Sequence, residues 1–447
     1  MESAARPSAS TRPRAASTMR SRLRRGLRGR AMRHIVGLPA ETSTANLWWW
    51  ASAEKGGAER EVAAMNLELS AEQDAARRLA RDFVEREIAP HVTAWDRAES
   101  IDKSIVRRLG EVGFLGLTID EEYGGSGGDH LAYCLVTEEL GRGDSSVRGI
   151  VSVSLGLVAK SVAAWGSEEQ KRRWLPGLTS GTHVGCFGLT EPGTGSDAGN
   201  LATRAVRDGD AYVVNGSKMF ITNGTWADVV LLFARTNDTP GHKGVSAFLV
   251  PADSPGLTRR AVHGKLGLRG QATAELVLQD VRVPADAMLA PEGKGFAVAM
   301  SALAKGRMSV AAGCVGIAQA ALDAAVAYAG EREQFGKSIA RHQLVQELIS
   351  DIAVDVDAAR LLTWRVADLV DRGQPFATES SKAKLFASEA AVRAANNALQ
   401  VFGGYGYIDE YPVGKLLRDA RVMTLYEGTS QIQKLVIGRA LTGVSAF

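Results

Sequence analysis

The spacing of apolar and polar positions changes twice along the chain, and those changes divide it. From Ser70 to about Ser180 apolar residues recur at helical spacing, over residues 75–88, 104–115 and 131–140. Ser70-Ala71-Glu72-Gln73 and Ser167-Glu168-Glu169-Gln170 have the form of capping boxes, a hydroxyl followed three positions on by an amide. The helix opened by the second is expected to be ended by Gly177 and Gly181. Near Gly185 the period shortens. Asp208-Gly209 and Asn215-Gly216 are hairpin-type turns around residues 211–214, and residues 229–234, 245–250 and 273–278 read as strands. After Gly293-Lys294-Gly295 the helical period returns in four long segments, about 296–330, 343–372, 377–402 and 414–441. Short breaks between long helices predict a four-helix bundle. Helices, strands and helices in separate blocks predict an α+β fold rather than a doubly wound sheet. It comprises an N-terminal α-helical domain (65–184), a middle β domain (185–294) and a C-terminal four-helix bundle (295–447).

Charge changes the picture at one end only. Residues 1–64 carry eleven Arg and Lys55 against five Glu, a net +7 in a chain of +3, so the remainder is acidic overall. The basicity belongs to a tail, and the folded part has no electrostatic footprint for nucleic acid. The Arg/Ser/Ala/Pro-rich start has the composition of a mitochondrial transit peptide. The favoured expectation is instead translation from Met65 in a GC-rich bacterial frame, with a disordered basic tail as a third reading. No apolar run reaches the roughly 18–20 residues of a membrane span, and residues 310–330 are interrupted by Gln319 and Asp323. Cys134, Cys186 and Cys314 are scattered, which indicates neither disulfides nor a metal site and suits a reducing compartment. The expected location is the bacterial cytoplasm, or the mitochondrial matrix if the tail is a transit peptide.

Three segments carry candidate chemistry. Thr190-Glu191-Pro192-Gly193-Thr194-Gly195-Ser196-Asp197 formally contains a loose dinucleotide fingerprint, Gly193-x-Gly195-x-x-Ala198. Pro192 and Gly199 favour a loop entering strands, so the context fails. Its backbone N–H groups and the Thr190 and Ser196 hydroxyls could still bind a flavin edge and a diphosphate, or form an ordinary loop. In Met219-Phe220-Ile221-Thr222-Asn223-Gly224 an aromatic beside a hydroxyl at a strand end suits a flavin ring, or is simply a strand end. In Leu425-Tyr426-Glu427-Gly428-Thr429-Ser430-Gln431-Ile432-Gln433 the carboxylate stands between an aromatic and a glycine at a helix start. Packed against apolar neighbours it would have a raised pKa and could take a proton from carbon. The bland alternative is a helix-capping Glu.

These three segments occur in order with residues 264–270 (GKLGLRG), Arg332-Glu333-Gln334-Phe335-Gly336 and Gln400-Val401-Phe402-Gly403-Gly404. Together they resemble the acyl-CoA dehydrogenase family from about Leu67 to Leu441, and its short-chain, butyryl-type branch most. The resemblance implies the same three-domain fold, with FAD between the β domain and the bundle. Phe187, Gly188, Leu189, Thr190, Ser196, Phe220, Ile221 and Thr222 would line the flavin. Arg332, Phe335 and Gln343 would reach the FAD of a neighbouring subunit, and Gln400, Val401, Phe402, Gly403 and Gly404 its adenine and diphosphate. Thr429, Ser430 and Gln431 would close the site, with Ser196, Arg307 and Gly428 on the substrate side. The alternative for Arg307 is a structural ion pair. Sharing FAD between subunits implies a homotetramer.

The implied reaction is α,β-dehydrogenation of an acyl-CoA to the trans-2-enoyl-CoA. Glu427 takes the α-proton and flavin N5 accepts the β-hydrogen as hydride. The Glu427 N–H and a ribityl hydroxyl polarise the thioester carbonyl, and electrons pass on to an electron-transferring flavoprotein. Some branches carry the base at the position of Gly306, so here Glu427 has no rival. Phe220 and Phe187 replace the family's frequent Trp and Tyr, and Ala304 replaces a common acid. Competing readings are a carrier-protein thioester dehydrogenase, a flavin monooxygenase of the same fold, which needs no Glu at 427, and a non-catalytic flavoprotein.

Overall fold

The computed structural model describes residues 67–446, so the expectations for residues 1–64 lie outside the described residues. Helix α1 (Ala71–Phe83) opens with the expected capping box: Ser70 Oγ accepts from Gln73 N at 3.2 Å, and Gln73 Oε1 accepts from Ser70 N at 2.9 Å. It is followed by α2 (Val92–Ala98), α3 (Ser104–Glu111) and α4 (His130–Gly143). Helix α3 stops four residues short of the predicted 115, because Gly113 takes a left-handed φ of 89°. Helix α5 (Ser145–Val153) continues through a π-type stretch (Ser154–Ala159) into α6 (Lys160–Trp165). The domain closes with α7 (Glu168–Ser180), opened by the second capping box. Only Gly181, with φ of 75°, ends α7. Gly177 lies inside it, where a Cβ would stand 2.0 Å from His183 Nδ1, so this glycine serves close approach and not termination.

The β domain holds β1 (Gly185–Gly188), β2 (Arg204–Asp208), β3 (Ala211–Ile221), β4 (Val229–Arg235), β5 (Val245–Pro251), β6 (Leu257–Ala261), β7 (Ala274–Pro284) and β8 (Met288–Leu289). They form one sheet in the order β6-β7-β3-β2-β4-β5-β8, with β1 parallel to β4. Four strands of this sheet were not predicted. β2 and β6 are largely exposed and rich in arginine, and β1 and β8 are only four and two residues long, so none offers a long apolar run.

The C-terminal domain contains α8 (Gly295–Glu331), α9 (Gln343–Asp371), α10 (Ala377–Phe402), α11 (Pro412–Met423) and α12 (Ser430–Thr442). A short hairpin, β9 (Glu333–Gln334) with β10 (Lys337–Ser338), joins α8 to α9. The single segment predicted over 414–441 is therefore two helices. The break holds Glu427 at φ 52° and Gly428 at φ 91°, conformations no helix accommodates. Helix α8 packs against α4 through glycines: a Cβ on Gly316 would lie 2.1 Å from the Glu138 carbonyl. By length and apolar content alone, Ser145–Trp165 and Gly295–Glu331 could each cross a membrane, contrary to the expectation that no segment would qualify. Their apolar surface is instead largely taken up by neighbouring elements.

One charged cluster ties the three domains together. Lys415 Nζ of α11 bonds Asp144 Oδ2 of the first domain at 2.8 Å and Asp419 Oδ2 at 2.5 Å. Asp419 Oδ1 accepts from Leu268 N of the β domain at 2.7 Å. Asp144 also caps α5, accepting from Val147 N at 2.9 Å. Burial disfavours charge on Lys415, but the two carboxylates outweigh it and raise its pKa.

Candidate active site

The break between α11 and α12 presents Glu427 inward. Thr429 caps α12, its Oγ1 accepting from Ile432 N at 3.2 Å. Gln433 Nε2 donates to the carbonyls of Glu427 (3.2 Å) and Gly428 (2.9 Å), and Lys384 Nζ donates to Gly428 O at 2.9 Å. Position 428 must be glycine on two counts, its φ of 91° and the 2.5 Å that would separate a Cβ from Gln433 Nε2. With both carbonyls fixed, the Glu427 N–H makes no hydrogen bond among the described residues.

The carboxylate itself is enclosed. Glu427 as a residue is half-buried, but its Oε2 is sealed from solvent and has no hydrogen-bond partner. A Cβ built on Gly306 of α8 would lie 2.2 Å from Oε2 and 2.9 Å from Leu157 Cδ2, so the glycine leaves the room the carboxylate uses. Burial pushes the Glu427 pKa up to about 7, against the opposing pull of Arg148, Lys384 and Arg307. Burial also lowers the Lys384 pKa to about 8 and lowers that of Arg307. A base poised near neutrality within a ring of cations, with a free N–H beside it, can remove a proton from carbon and stabilise the oxyanion that forms.

The β domain supplies the second wall. Phe220 has φ of 60° at an irregularity in the β3–β7 register and is 65% exposed, an apolar side chain awaiting a cover. Close in sequence, Thr222 Oγ1 donates to Gln271 Oε1 at 3.2 Å, and Phe187 packs on Phe233 at 4.8 Å between ring centres. Thr222 also meets α5: a Cβ on Gly149 would stand 2.1 Å from Gln271 Nε2 and 4.0 Å from Thr222 Cγ2. The loop at 190–197 is held by a buried ion pair, Lys218 Nζ to Glu191 Oε1 at 2.7 Å. Glu191 also accepts from the Ala202 and Thr203 N–H groups at 2.5 and 2.9 Å, and Lys218 reaches Leu189 O at 3.3 Å. Ser196 stands exposed on that loop, while Gly188 and Leu189 are buried beneath it and Ile221 lies in the sheet core.

Arg332, Phe335, Gln343 and residues 400–404 lie around the β9–β10 hairpin and the end of α10. Phe335, at φ of 56° in the β9–β10 hairpin, is 93% exposed, and Gln343 is exposed at the start of α9. Arg332 stacks over Tyr405 at 5.4 Å, beside the exposed Gln400, Gly403 and Gly404. Val401 and Phe402 turn inward, with Phe402 stacked on Tyr328 at 4.0 Å, so their side chains serve the core. Ser430 Oγ bonds Glu389 Oε1 at 2.5 Å and Gln431 is exposed. Arg307 Nη1 meets Ser381 Oγ at 3.4 Å and joins no ion pair among the described residues. Sequence reasoning missed Arg148, Lys384 and the Lys218–Glu191 pair. A charged side chain carries such a signal only once its burial is known.

The chain matches the N-terminal, middle and C-terminal domain models of acyl-CoA dehydrogenase over residues 70–182, 186–281 and 293–442. It is 47% identical to a probable acyl-CoA dehydrogenase, YngJ, of Bacillus subtilis, over 84% of this chain and all of that protein. Among solved structures it is similar to butyryl-CoA dehydrogenase of Megasphaera elsdenii, at 42% identity and a TM-score of 0.83, covering 84% of this chain and 100% of that one. It is also similar to a glutaryl-CoA dehydrogenase of Mycobacterium smegmatis in complex with FADH2, at 36% identity and a TM-score of 0.81, covering 85% of this chain and 96% of that one.

Proposed function

The chain belongs to the acyl-CoA dehydrogenase family and is an FAD-dependent oxidoreductase, and from that premise we propose that it desaturates an acyl-CoA between the α and β carbons with Glu427 as base. The observation that carries this reading is the Glu427 carboxylate, its Oε2 buried without a hydrogen-bond partner and its pKa pushed up to about 7 by burial. The α-carbon of the thioester lies against Oε2 and gives it a proton. The adjacent Glu427 N–H donates to the thioester carbonyl, where negative charge grows as the proton leaves. Arg307, Lys384 and Arg148 favour the ionised base before the transfer. The enclosed setting keeps water from competing for the proton.

The residues present fit FAD. The uncovered Phe220 ring and the Phe187–Phe233 pair suit the faces of a flat ring system, and Thr190, Thr222 and Ser196 bring hydroxyls to its edge. Gly403 and Gly404 have open space where a Cβ would stand, which lets backbone approach a diphosphate. When bound, FAD supplies the acceptor for the β-hydrogen as hydride. The exposed Phe335 and Leu344 support a shared site in a homotetramer, because apolar side chains so uncovered are suited to a partner subunit. An electron-transferring flavoprotein is the acceptor of the electrons. Glu427 speaks against oxygenase chemistry, which requires no base there.

Anaerobic mixing of the purified yellow enzyme with a panel of acyl-CoAs, following the oxidised-flavin absorbance, tests the reading. Bleaching by at least one thioester is expected. Intact flavin absorbance with every thioester would refute it.

A further inference from the structure

Building on the proposed dehydrogenation at Glu427, we propose that the acyl group this site accepts ends in a carboxylate, and that Arg148 on α5 holds it. Arg148 is among the largest fully buried side chains, at 1% exposure. Its Nη1 donates to Ser152 Oγ at 3.0 Å, and its Nη2 to Tyr426 OH at 2.5 Å and Met423 Sδ at 3.6 Å. Its Nε has no partner. No carboxylate stands within ion-pair distance of it among the described residues. The fold pairs other buried cations: Lys218 has Glu191, and Lys415 has Asp144 and Asp419. A guanidinium does not escape the cost of burial by losing its proton, so an unpaired one marks a place for an anion.

The surroundings point the same way. Two buried cations, Arg148 and Lys384, and the half-buried Arg307 act on Glu427, and the one further acid that acts on Lys384 is Glu389. The ionised site therefore carries excess positive charge before substrate enters. Arg148 reaches it through Tyr426, the residue preceding the base. Tyr426 O–H donates at 2.7 Å to the Met423 sulfur, a weak acceptor that a carboxylate oxygen would displace. Ser152 Oγ shares a 2.8 Å bond with Ser309 Oγ, which accepts from Tyr133 OH at 2.8 Å, so further hydroxyls can turn toward an anion. The guanidinium has its own slot in α8. A Cβ on Gly313 would lie 2.8 Å from Arg148 Cδ and Nε.

Phosphates of FAD or CoA are poor candidates for this arginine, because it is enclosed by α5, α8 and the Tyr426 turn. An anion carried by the acyl chain itself arrives there when the α-carbon meets Glu427. Val153, Leu157, Ala302 and Phe187 form only a small apolar patch near the base, which suits a short chain between the two functional ends. A short dicarboxylic monothioester satisfies both.

The test separates binding from turnover. FAD-loaded Glu427→Gln enzyme is titrated calorimetrically with glutaryl-CoA and with valeryl-CoA, which has the same number of acyl carbons. A charge-assisted hydrogen-bonded pair predicts about 10- to 100-fold tighter binding of glutaryl-CoA. Adding Arg148→Met should abolish that preference, read as the ratio of the two affinities in the same variant. Arg148→Lys, which preserves the charge but loses the planar fork, should reduce the preference severalfold. Equal or tighter binding of valeryl-CoA overturns the inference, as does a preference that either substitution leaves unchanged. Failure of the parent reading has a different signature: the unsubstituted enzyme would bind these thioesters without flavin reduction.

Discussion

Replacing Glu427 by Gln should make the enzyme slower and more stable at once. The amide keeps the side chain's shape and the free backbone N–H but cannot take a proton. Loss of a general base costs about 10²- to 10⁴-fold, or roughly 3–5 kcal/mol of barrier, and Gly306 offers no substitute. Stability moves the other way. Burial raises the Glu427 pKa from 4.5 to about 7, so the folded state holds that proton more tightly than the unfolded chain. The stability this group contributes is complete below about pH 4.5 and is lost as pH rises through about 7. A shift of that size corresponds to about 3 kcal/mol at pH 8, which neutral Gln recovers. Stopped-flow flavin reduction and melting of the FAD-loaded proteins at matched scan rate, from pH 5 to pH 8, measure both arms. In the wild type the acyl-CoA-dependent reduction should also rise with pH to a plateau above about 7. Reduction by the variant at near wild-type speed would show that Glu427 is not the base. A melting difference independent of pH would show that its carboxylate is not desolvated.

Gly306→Ala places a Cβ 2.2 Å from Glu427 Oε2, too close to keep both, and should cut flavin reduction by at least ~10²-fold with FAD content unchanged, since misplacing a reacting group by about 1 Å has that cost. Gly306→Glu combined with Glu427→Gly should recover part of the rate lost in Glu427→Gln, read in the same assay, because both positions project into one space. Lys218→Met strands Glu191 in the interior, which should destabilise the protein by about 3–5 kcal/mol and release FAD, seen as a lower melting temperature and a colourless protein after gel filtration. Phe335→Ser should weaken both subunit association and FAD retention, checked by sedimentation and by flavin-to-protein absorbance on dilution.

Most of the fold was legible because long helices and buried strands write their period into the chain. The errors have local causes. Residues 414–441 read as one helix because Leu425 and Tyr426 keep the apolar period going, while the left-handed turn at Glu427 and Gly428 leaves a trace only in the glycine. Strands β2 and β6 carry arginines on exposed faces and so mimic loops. In the site, Glu427 stood out because an acid between an aromatic and a glycine is chemically conspicuous. Arg148 did not, because the sequence cannot tell a solvated arginine from one that α8 has enclosed. Its partners, Ser152, Tyr426 and Met423, come from both ends of the chain, and only tertiary contact makes them a set.

The cluster of Lys415, Asp144 and Asp419 constrains how molecules enter and leave. Opening the domains like jaws would pull Asp144 from Lys415 and Leu268 N from Asp419, exposing a lysine and two acids to incomplete solvation in a narrow crack. Such a gape is costly on every catalytic cycle. Traffic must then depend on smaller doors, rotations of individual side chains, within a frame that stays shut. Release of product from such a frame is a question of side-chain gating rather than of domain breathing.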